Sequence, residues 1–187
     1  MVSYSRTDRF FGRMVKRRLL TNTGLVVDMD YTIRKIKETE YFLLKDFLYE
    51  AIFVPDGVEP PPKSIVDAPE LQVYISNFGP EPHDIALIAE VDNKAVGAVW
   101  VRIMNDYGHI DDETPSFAIS LYKEYRGLGI GTEMMKAMLA LLKDRGYRQV
   151  SLAVQKANYA VKMYRKVGFD IVDENNEEYI MVNHLAR

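Results

Sequence analysis

The feature that most constrains the fold is a glycine-rich turn between a strand-like run and a long amphipathic run. The turn reads RGLGIG from Arg126 to Gly131, directly after the strand-like run SFAISL and its short connection. The run that follows carries apolar residues at helical spacing as far as Gly146, a residue type that commonly ends a helix. Glycine is costly to order, so three glycines at alternate positions indicate a backbone that needs the missing side chains. Such a turn can also bind an anion, because backbone N–H groups and a helix N-terminus converge there.

Two familiar phosphate-binding motifs do not match this turn. A P-loop needs a Lys-Ser or Lys-Thr pair after its last glycine, and none follows Gly131. The dinucleotide fingerprint needs a different glycine spacing and a βαβ unit, which does not open this chain. The turn by itself therefore leaves two interpretations open: an anion site, or a tight turn without a ligand.

The rest of the chain alternates between strand and helix patterns. Strand patterns cover residues 31–36, a hairpin over 84–104 that turns at Asp92-Asn93-Lys94, residues 116–121 and 149–155, and a closing hairpin over 169–185. Helix patterns follow Thr39, which is expected to cap the first helix, and cover residues 69–77 and the stretch from Asn158 to Gly168. A proline-rich loop occupies residues 54–64. These patterns predict one mixed α/β domain with a central, partly antiparallel sheet flanked by helices.

Composition limits the partners and the chemistry. With 187 residues, the chain can form one domain with a sizeable core. It has no cysteine, which excludes disulfides, thiolate metal sites and a cysteine nucleophile. Its net charge of -3 gives no overall attraction to nucleic acid or anionic membranes, and no apolar run approaches the roughly 20 residues needed to span a bilayer. We therefore expect no metal, no nucleic acid and no membrane as partners, and a cytoplasmic location.

Residues 1–28 differ in composition from the rest of the chain. They hold six Lys and Arg against two Asp, and they lack the apolar core of a secretory signal. Regular patterning is expected to begin at Met29. The preferred interpretation is a disordered or non-native N-terminal extension at 1–28, with a presequence as the alternative, and a domain at 29–187.

A second stretch, NYAVKMYRKVGF from Asn158 to Phe169, favours a ligand-binding interpretation of the glycine turn. Arg126-x-x-Gly129-x-Gly131 resembles the acyl-CoA pyrophosphate loop of the GNAT superfamily of acyl-CoA N-acyltransferases. The second stretch is similar to that family's signature of an Asn, a small residue, an apolar-Tyr pair and Gly-Phe. The two motifs occur in the family's order, and the resemblance covers nearly everything after residue 28. It implies a GNAT-type fold with acetyl-CoA as co-substrate.

The resemblance also implies roles for particular residues. The pantetheine arm would lie along the strand before the turn, the pyrophosphate on the amides of the turn, and Tyr164 near the thioester sulfur as the acid for the leaving thiolate. The residues implied to bind the co-substrate are Ile119, Ser120, Leu121, Arg126, Gly127, Leu128, Gly129, Ile130, Gly131, Thr132 and Asn158. Judged from the residues alone, Asn158 is also a good N-cap, and Tyr164 also fits a packed core.

The implied reaction is direct transfer of the acetyl group to a primary amine of a small molecule in a ternary complex. The family often places a glutamate near the strand before the loop or on the strand before the asparagine; here the second place reads SLAVQ, without an acid. Glu113 is the preferred general base, with Asp111, Asp112 and His109 nearby, and a solvated loop is the alternative interpretation. Further acids fall in segments that tend to line the acceptor site in this family: Asp56, Glu59, Glu70, Glu81 and Asp84.

Two other functions remain open at this point. One is a protein or peptide N-acetyltransferase, and the other is a regulatory module that binds acyl-CoA without catalysis. Either would keep the glycine turn. A homodimer also remains open.

Overall fold

The computed structural model describes residue 12, residues 15–20 and residues 26–185. These residues form a mixed α/β domain, which confirms the predicted fold class. The strands are β1 (Val15–Leu20), β2 (Val26–Lys35), β3 (Ile85–Val91), β4 (Lys94–Arg102), β5 (Ser116–Leu121), β6 (Gln149–Gln155), β7 (Asp170–Glu174) and β8 (Glu178–His184). The helices are α1 (Leu43–Ala51), α2 (Pro69–Gln72), α3 (Ile130–Asp144) and α4 (Ala160–Lys166).

The strands form one sheet in the order β1-β2-β3-β4-β5-β6-β8-β7. Every neighbouring pair is antiparallel except β5 and β6, which run parallel. Those two strands are in register at Ser116 and Ser151, and the Ser151 amide also donates to the Pro115 carbonyl at 3.0 Å. The described residues show no further registered pair between them, so a gap opens along the C-terminal half of β5.

Two apolar clusters cover the two faces of the sheet. Alternate residues of a strand point to opposite faces, and β4 shows the division clearly. Val99 and Val101 belong to the cluster that contains α3, whereas Ala98 and Trp100 belong to the cluster that contains α1. Both clusters reach β5, so the strand before the glycine turn is held from both sides.

The two hairpins and the end of α3 agree with the sequence pattern. Asp92 and Asn93 have φ of 47° and 61°, the left-handed values that a tight two-residue hairpin turn requires. Gly146 follows α3 with φ of 85°, as expected for a residue just past a helix.

Two local predictions were wrong. Thr39 does not cap the first helix, because it lies inside a 3-10 turn at Glu38–Glu40 and α1 begins only at Leu43. Glu40 accounts for this turn: its carboxylate accepts from the Lys37 amide and from Arg34, which fixes the chain ahead of the helix. The second helix is also shorter than residues 69–77, since α2 ends at Gln72 and single turns follow it.

Regular structure begins before Met29. β1 pairs with β2 from Val15 opposite Tyr31 to Leu20 opposite Val26. Backbone pairing at a sheet edge needs no apolar alternation, and Lys and Arg are common in edge strands, so the pattern gave no sign of β1. That residues 1–28 are a non-native extension stays a prediction, and residues 1–11, 13–14 and 21–25 lie outside the described residues.

Candidate functional site

The backbone of β5 faces the gap beside β6. In an antiparallel pair, residues alternate between those that bond to the partner strand and those that point away. The Tyr122 amide donates to the Val96 carbonyl of the β4 hairpin at 3.0 Å, so Ile119 and Leu121 direct their backbone groups away from β4. The two residues predicted to meet a pantetheine arm therefore direct their backbone groups to the side of the gap, where the Leu121 carbonyl already accepts from Arg126 Nε.

Ser120 points to the opposite side of the sheet. Its hydroxyl is buried and donates to the Phe47 carbonyl of α1 at 2.6 Å. The side chain thus joins β5 to α1, and the backbone groups of Ser120 point towards β4.

The three glycines of the turn serve two purposes. Gly127 and Gly129 have φ of 74° and 78°, a region that other residues enter only with strain. Gly131 lies in the first turn of α3, where a Cβ would stand 3.2 Å from Leu121 Cδ1 and 3.5 Å from Met163 Sδ. The turn therefore bends at two glycines, and the third lets α3 start close to β5 and α4. The first N–H groups of an α-helix have no partner within the helix, so the start of α3 is a favourable place for an anion.

Arg126 stands at the entrance of the turn, as predicted, but its contacts are within the protein. Its Nε donates to the Leu121 carbonyl at 2.8 Å, and its Nη2 donates to the Glu50 carbonyl at 3.0 Å and to Glu50 Oε2 at 2.7 Å. Glu50 is not recognisable from the sequence, because an ion pair that spans 76 residues leaves no local pattern.

Asn158 and Tyr164 belong to the segment on the far side of the gap. Asn158 Oδ1 accepts from the Ala160 amide at 2.9 Å, so its side chain bonds the first residue of α4, although the N-cap position itself is Tyr159. Tyr164 is 9% exposed, and its ring lies 5.9 Å from that of Phe169. Burial raises the pKa of the Tyr164 hydroxyl above its ordinary value. Both side chains thus contribute to packing or capping and also border the cavity described next.

One cavity of about 770 Å³ brings most of the predicted residues together. Its first wall combines β5, the glycine turn and α4, and its second wall is the end of α1 with the proline-rich loop that follows. The predicted residues on the first wall are Ile119, Ser120, Leu121, Arg126, Gly127, Gly129, Gly131, Thr132, Asn158 and Tyr164. Leu128 and Ile130 are not on the wall: Ile130 is buried in the core and Leu128 packs against it.

Glu113, the predicted base, does not line this cavity. It is exposed and lines a separate cavity of about 610 Å³, together with Asp111, Arg145 and Arg148. Because Glu113 precedes β5 and the glycine turn follows β5, the strand separates the two sites. The structure does not bring Glu113 to Tyr164.

The larger cavity has few acidic groups. Glu50 and Asp56 are the carboxylates on its described wall. Glu50 is paired with Arg126, and Asp56 is exposed in the proline-rich loop. Among the other acids expected near the acceptor, Asp84 is instead paired with Arg102 at 3.0 Å.

Two other kinds of site are not found in the part of the chain that the structure describes. Within the described residues, no three His, Asp or Glu side chains are grouped so that they could hold a metal ion. No helix in that part of the chain combines the length and apolar character needed to cross a membrane.

Comparison with known proteins identifies the family. A model of the Acetyltransferase (GNAT) family matches residues 49–169, which contain β5, the glycine turn and α4. The chain belongs to the GNAT family. The chain is 35% identical over 85 residues to the probable N-acetyltransferase camello of Xenopus tropicalis, covering 44% of this chain and 36% of that protein. It is 32% identical over 101 residues to N-alpha-acetyltransferase 50 of Danio rerio, covering 53% of this chain and 59% of that protein. The chain thus spans less than two thirds of the length of either relative.

A solved structure gives the same fold. The PaiA N-acetyltransferase of Thermoplasma acidophilum, solved in complex with coenzyme A, superimposes with a TM-score of 0.63 at 19% identity. The match covers 83% of this chain and 99% of that one. At this identity the likeness concerns the GNAT fold.

Proposed function

We propose that this GNAT chain is an N-acetyltransferase that moves an acetyl group from acetyl-CoA to a primary amine of a small molecule in a ternary complex. The observation that carries the proposal is the single cavity bounded by the open edge of β5, the glycine turn and Tyr164. Each part suits one part of the co-substrate: an extended strand edge for the amide-containing pantetheine arm, helix N–H groups for the pyrophosphate, and a hydroxyl for the sulfur. The coenzyme A complex of the PaiA relative agrees with this use of the fold.

Two observations support the co-substrate-binding roles proposed for the glycine turn. Positive φ at Gly127 and Gly129 bends the backbone just before α3, and the first turn of α3 adds its partial positive charge. A Cβ at Gly127 would meet no protein atom within 4 Å, so the space beside that residue is open to a ligand. We assign the pyrophosphate to this space.

The acceptor amine must lose its proton before it attacks the thioester carbonyl. The carboxylates on the cavity wall are poor candidates for this task, since Glu50 is held by Arg126 and Asp56 is solvated. We infer that Glu113 is not the base, because it lines the other cavity. The amine therefore deprotonates through water. At pH 7 this costs about 4–5 kcal/mol for an alkylamine of pKa about 10.4, but about 1 kcal/mol for an α-amino group of pKa about 7.7–8. A site in which the amine loses its proton to water therefore favours small α-amino compounds.

Tyr164 serves the leaving group. Its raised pKa keeps the hydroxyl protonated, so that it can donate a hydrogen bond to the sulfur as negative charge develops there. Complete transfer of the proton would be uphill, because a thiol has a pKa of about 8.5 and an ordinary tyrosine one of about 10. We therefore assign Tyr164 as the catalytic hydrogen-bond donor, and the proton released by the attacking amine balances the thiolate.

A second acceptor class has specific support. The N-alpha-acetyltransferase 50 relative is named for acetylation of α-amino groups, and the α-amine of a peptide has the same low pKa as that of an amino acid. A peptide would need the second wall of the cavity, residues 49–61, to leave room for its chain.

The decisive experiment measures thiol release from acetyl-CoA with matched acceptors: an amino acid amide, a short peptide with the same first residue, and an alkylamine. We expect release with the amino acid amide, and a kcat/KM that rises with pH along the pKa of each acceptor. If the acidic limb of the kcat/KM profile had the same midpoint for all acceptors, a base on the enzyme would be indicated instead. Binding of acetyl-CoA without release for any acceptor would favour the non-catalytic module, and no binding at all would refute the site.

A further inference from the structure

Arg126 lies where three parts of the chain meet. Leu121 ends β5, Glu50 lies in the last turn of α1, and Arg126 itself leads into the glycine turn. The guanidinium contacts the carbonyls of the first two at 2.8 and 3.0 Å. The last carbonyls of a helix lack partners within the helix, and a cation is favourable beside them. Arg126 thus joins the end of α1 to the entrance of the glycine turn.

The Glu50 carboxylate fixes this junction. Its Oε2 lies 2.7 Å from Arg126 Nη2, and the side chains of Glu50 and Arg126 are 20% and 31% exposed. A partly shielded, charge-assisted hydrogen bond is stronger than an ion pair in free solvent. Arginine carries five N–H donors, and these contacts use three of them, so the guanidinium is held in one orientation.

The segment 52–61, which we call the proline wall, is anchored at both ends by adjacent residues of α1. Glu50 holds its start through Arg126, and the Tyr49 hydroxyl donates to the Pro61 carbonyl at 2.7 Å. The proline wall lines the cavity opposite the glycine turn. Of these two anchors, the Glu50–Arg126 pair therefore connects the proline wall to the residues assigned to acetyl-CoA.

We propose that Glu50 is a positioning residue that couples the proline wall to the glycine turn, so that acetyl-CoA bound at the turn orders the wall. The inference rests on the proposed function, since acetyl-CoA must bind at the turn. Phosphates on the amides of 127–132 fix the turn, the fixed turn holds Arg126, and Arg126 holds Glu50 and the start of the proline wall. Acetyl-CoA at the turn thereby restricts the motion of the opposite wall of the same cavity.

Hydrogen exchange tests the coupling without knowledge of the acceptor. Acetyl-CoA at saturating concentration, verified for each protein by calorimetric titration, should slow amide exchange in the proline wall about fivefold in the unaltered chain. In Glu50→Ala the same saturation should slow it less than about twofold, because the carboxylate contact is lost and Arg126 keeps only its bond to the backbone carbonyl at this position. Glu50→Gln keeps an oxygen acceptor for Arg126 and should give an intermediate value.

Glu124→Ala is the matched control. Glu124 is exposed in the 3-10 turn just before Arg126 and is not on the cavity wall, so this variant should behave as the unaltered chain does. Equal slowing in Glu50→Ala and the unaltered chain, or no slowing in the unaltered chain, would overturn the coupling. If Glu50→Ala loses its far-ultraviolet circular dichroism, Glu50→Gln decides in the same way. Absence of acetyl-CoA binding in the unaltered chain would instead refute the proposed function, and the coupling with it.

Discussion

Ser116 and Ser151 form the one registered parallel pair between β5 and β6 in the described part of the chain. All other neighbouring strands are antiparallel and pair over at least four residues. The sheet is thus continuous at the start of β5 and open at its end, where the glycine turn begins. An open strand edge is usually a liability, and here it borders the candidate site.

Gly127→Ala should weaken acetyl-CoA binding more than it weakens the fold. The residue has φ of 74°, so alanine there costs about 1–2 kcal/mol of folding free energy. Its Cβ would meet no protein atom, but would enter the space that we assign to the pyrophosphate. We expect the thermal shift caused by acetyl-CoA to fall by more than half.

Gly146→Ala provides the matched control for that variant. Gly146 has φ of 85° and open space around its Cβ, but it follows α3 at the end away from the glycine turn. It should lose similar stability and keep the full thermal shift with acetyl-CoA. An equal loss of the shift in both variants would mean that backbone strain, rather than the ligand site, explains the result.

The sequence predicts the strand–turn–helix unit well because its information is local. Spacing and glycine content place β5, the turn and α3, and the Asn-to-Phe stretch places α4, within a few residues of their observed bounds. The contacts that join distant segments are not predictable in this way. Glu50 meets Arg126, and Ser120 meets Phe47, only because α1 packs on β5, and neither pairing leaves a periodic signal.

The role of Glu113 as base stays a prediction, and its position illustrates the opposite difficulty. Its place in the sequence, three residues before β5, suggested a base, but proximity along an extended strand is not proximity in space. A six-residue strand spans about 17–20 Å, so residues before and after β5 face different ends of the sheet. Sequence reasoning could have used this length to place Glu113 away from Tyr164.

Glu113→Gln should leave turnover within about twofold of the unaltered enzyme. The carboxylate is exposed in the smaller cavity, so its loss removes no charge from the site of transfer. The measurement is kcat/KM for the best amine from pH 6 to pH 9, where the shape of the profile should also be unchanged. A loss of about 100-fold or more, with the acidic limb removed, would restore Glu113 as the general base.

Glu40 should make folding stability sensitive to acid. Arg34 donates to both of its carboxylate oxygens at 2.8 Å, and this pairing lowers the pKa of Glu40 from 4.5 to about 2. Since the pKa is lower in the folded state, the contribution is complete above about pH 4.5 and is lost as the pH falls towards 2. Denaturant titrations should show a smaller loss of stability between pH 5 and pH 2.5 in Glu40→Gln. Glu38→Gln, at an exposed position in the same turn, should keep the original dependence.

Tyr164→Phe tests the group assigned to the leaving sulfur. The change removes one hydroxyl and almost no volume from a buried side chain, so acetyl-CoA affinity should change little. Loss of a hydrogen bond that strengthens in the transition state should lower kcat by about 10²–10³-fold. Because the hydroxyl stays protonated over the working range, the shape of the pH profile should not change below about pH 9.

Tyr159→Phe is the comparison for Tyr164→Phe, because Tyr159 lines the same cavity but is 66% exposed at its rim. It should retain nearly full turnover. A Tyr164→Phe enzyme with full turnover would show that the residue only packs against Phe169, and weaker acetyl-CoA binding with unchanged kcat would place its hydrogen bond in the ground state. Either result would remove Tyr164 from the catalytic step and would leave the glycine turn as the basis for acetyl-CoA binding, since that assignment rests on the backbone of 127–132.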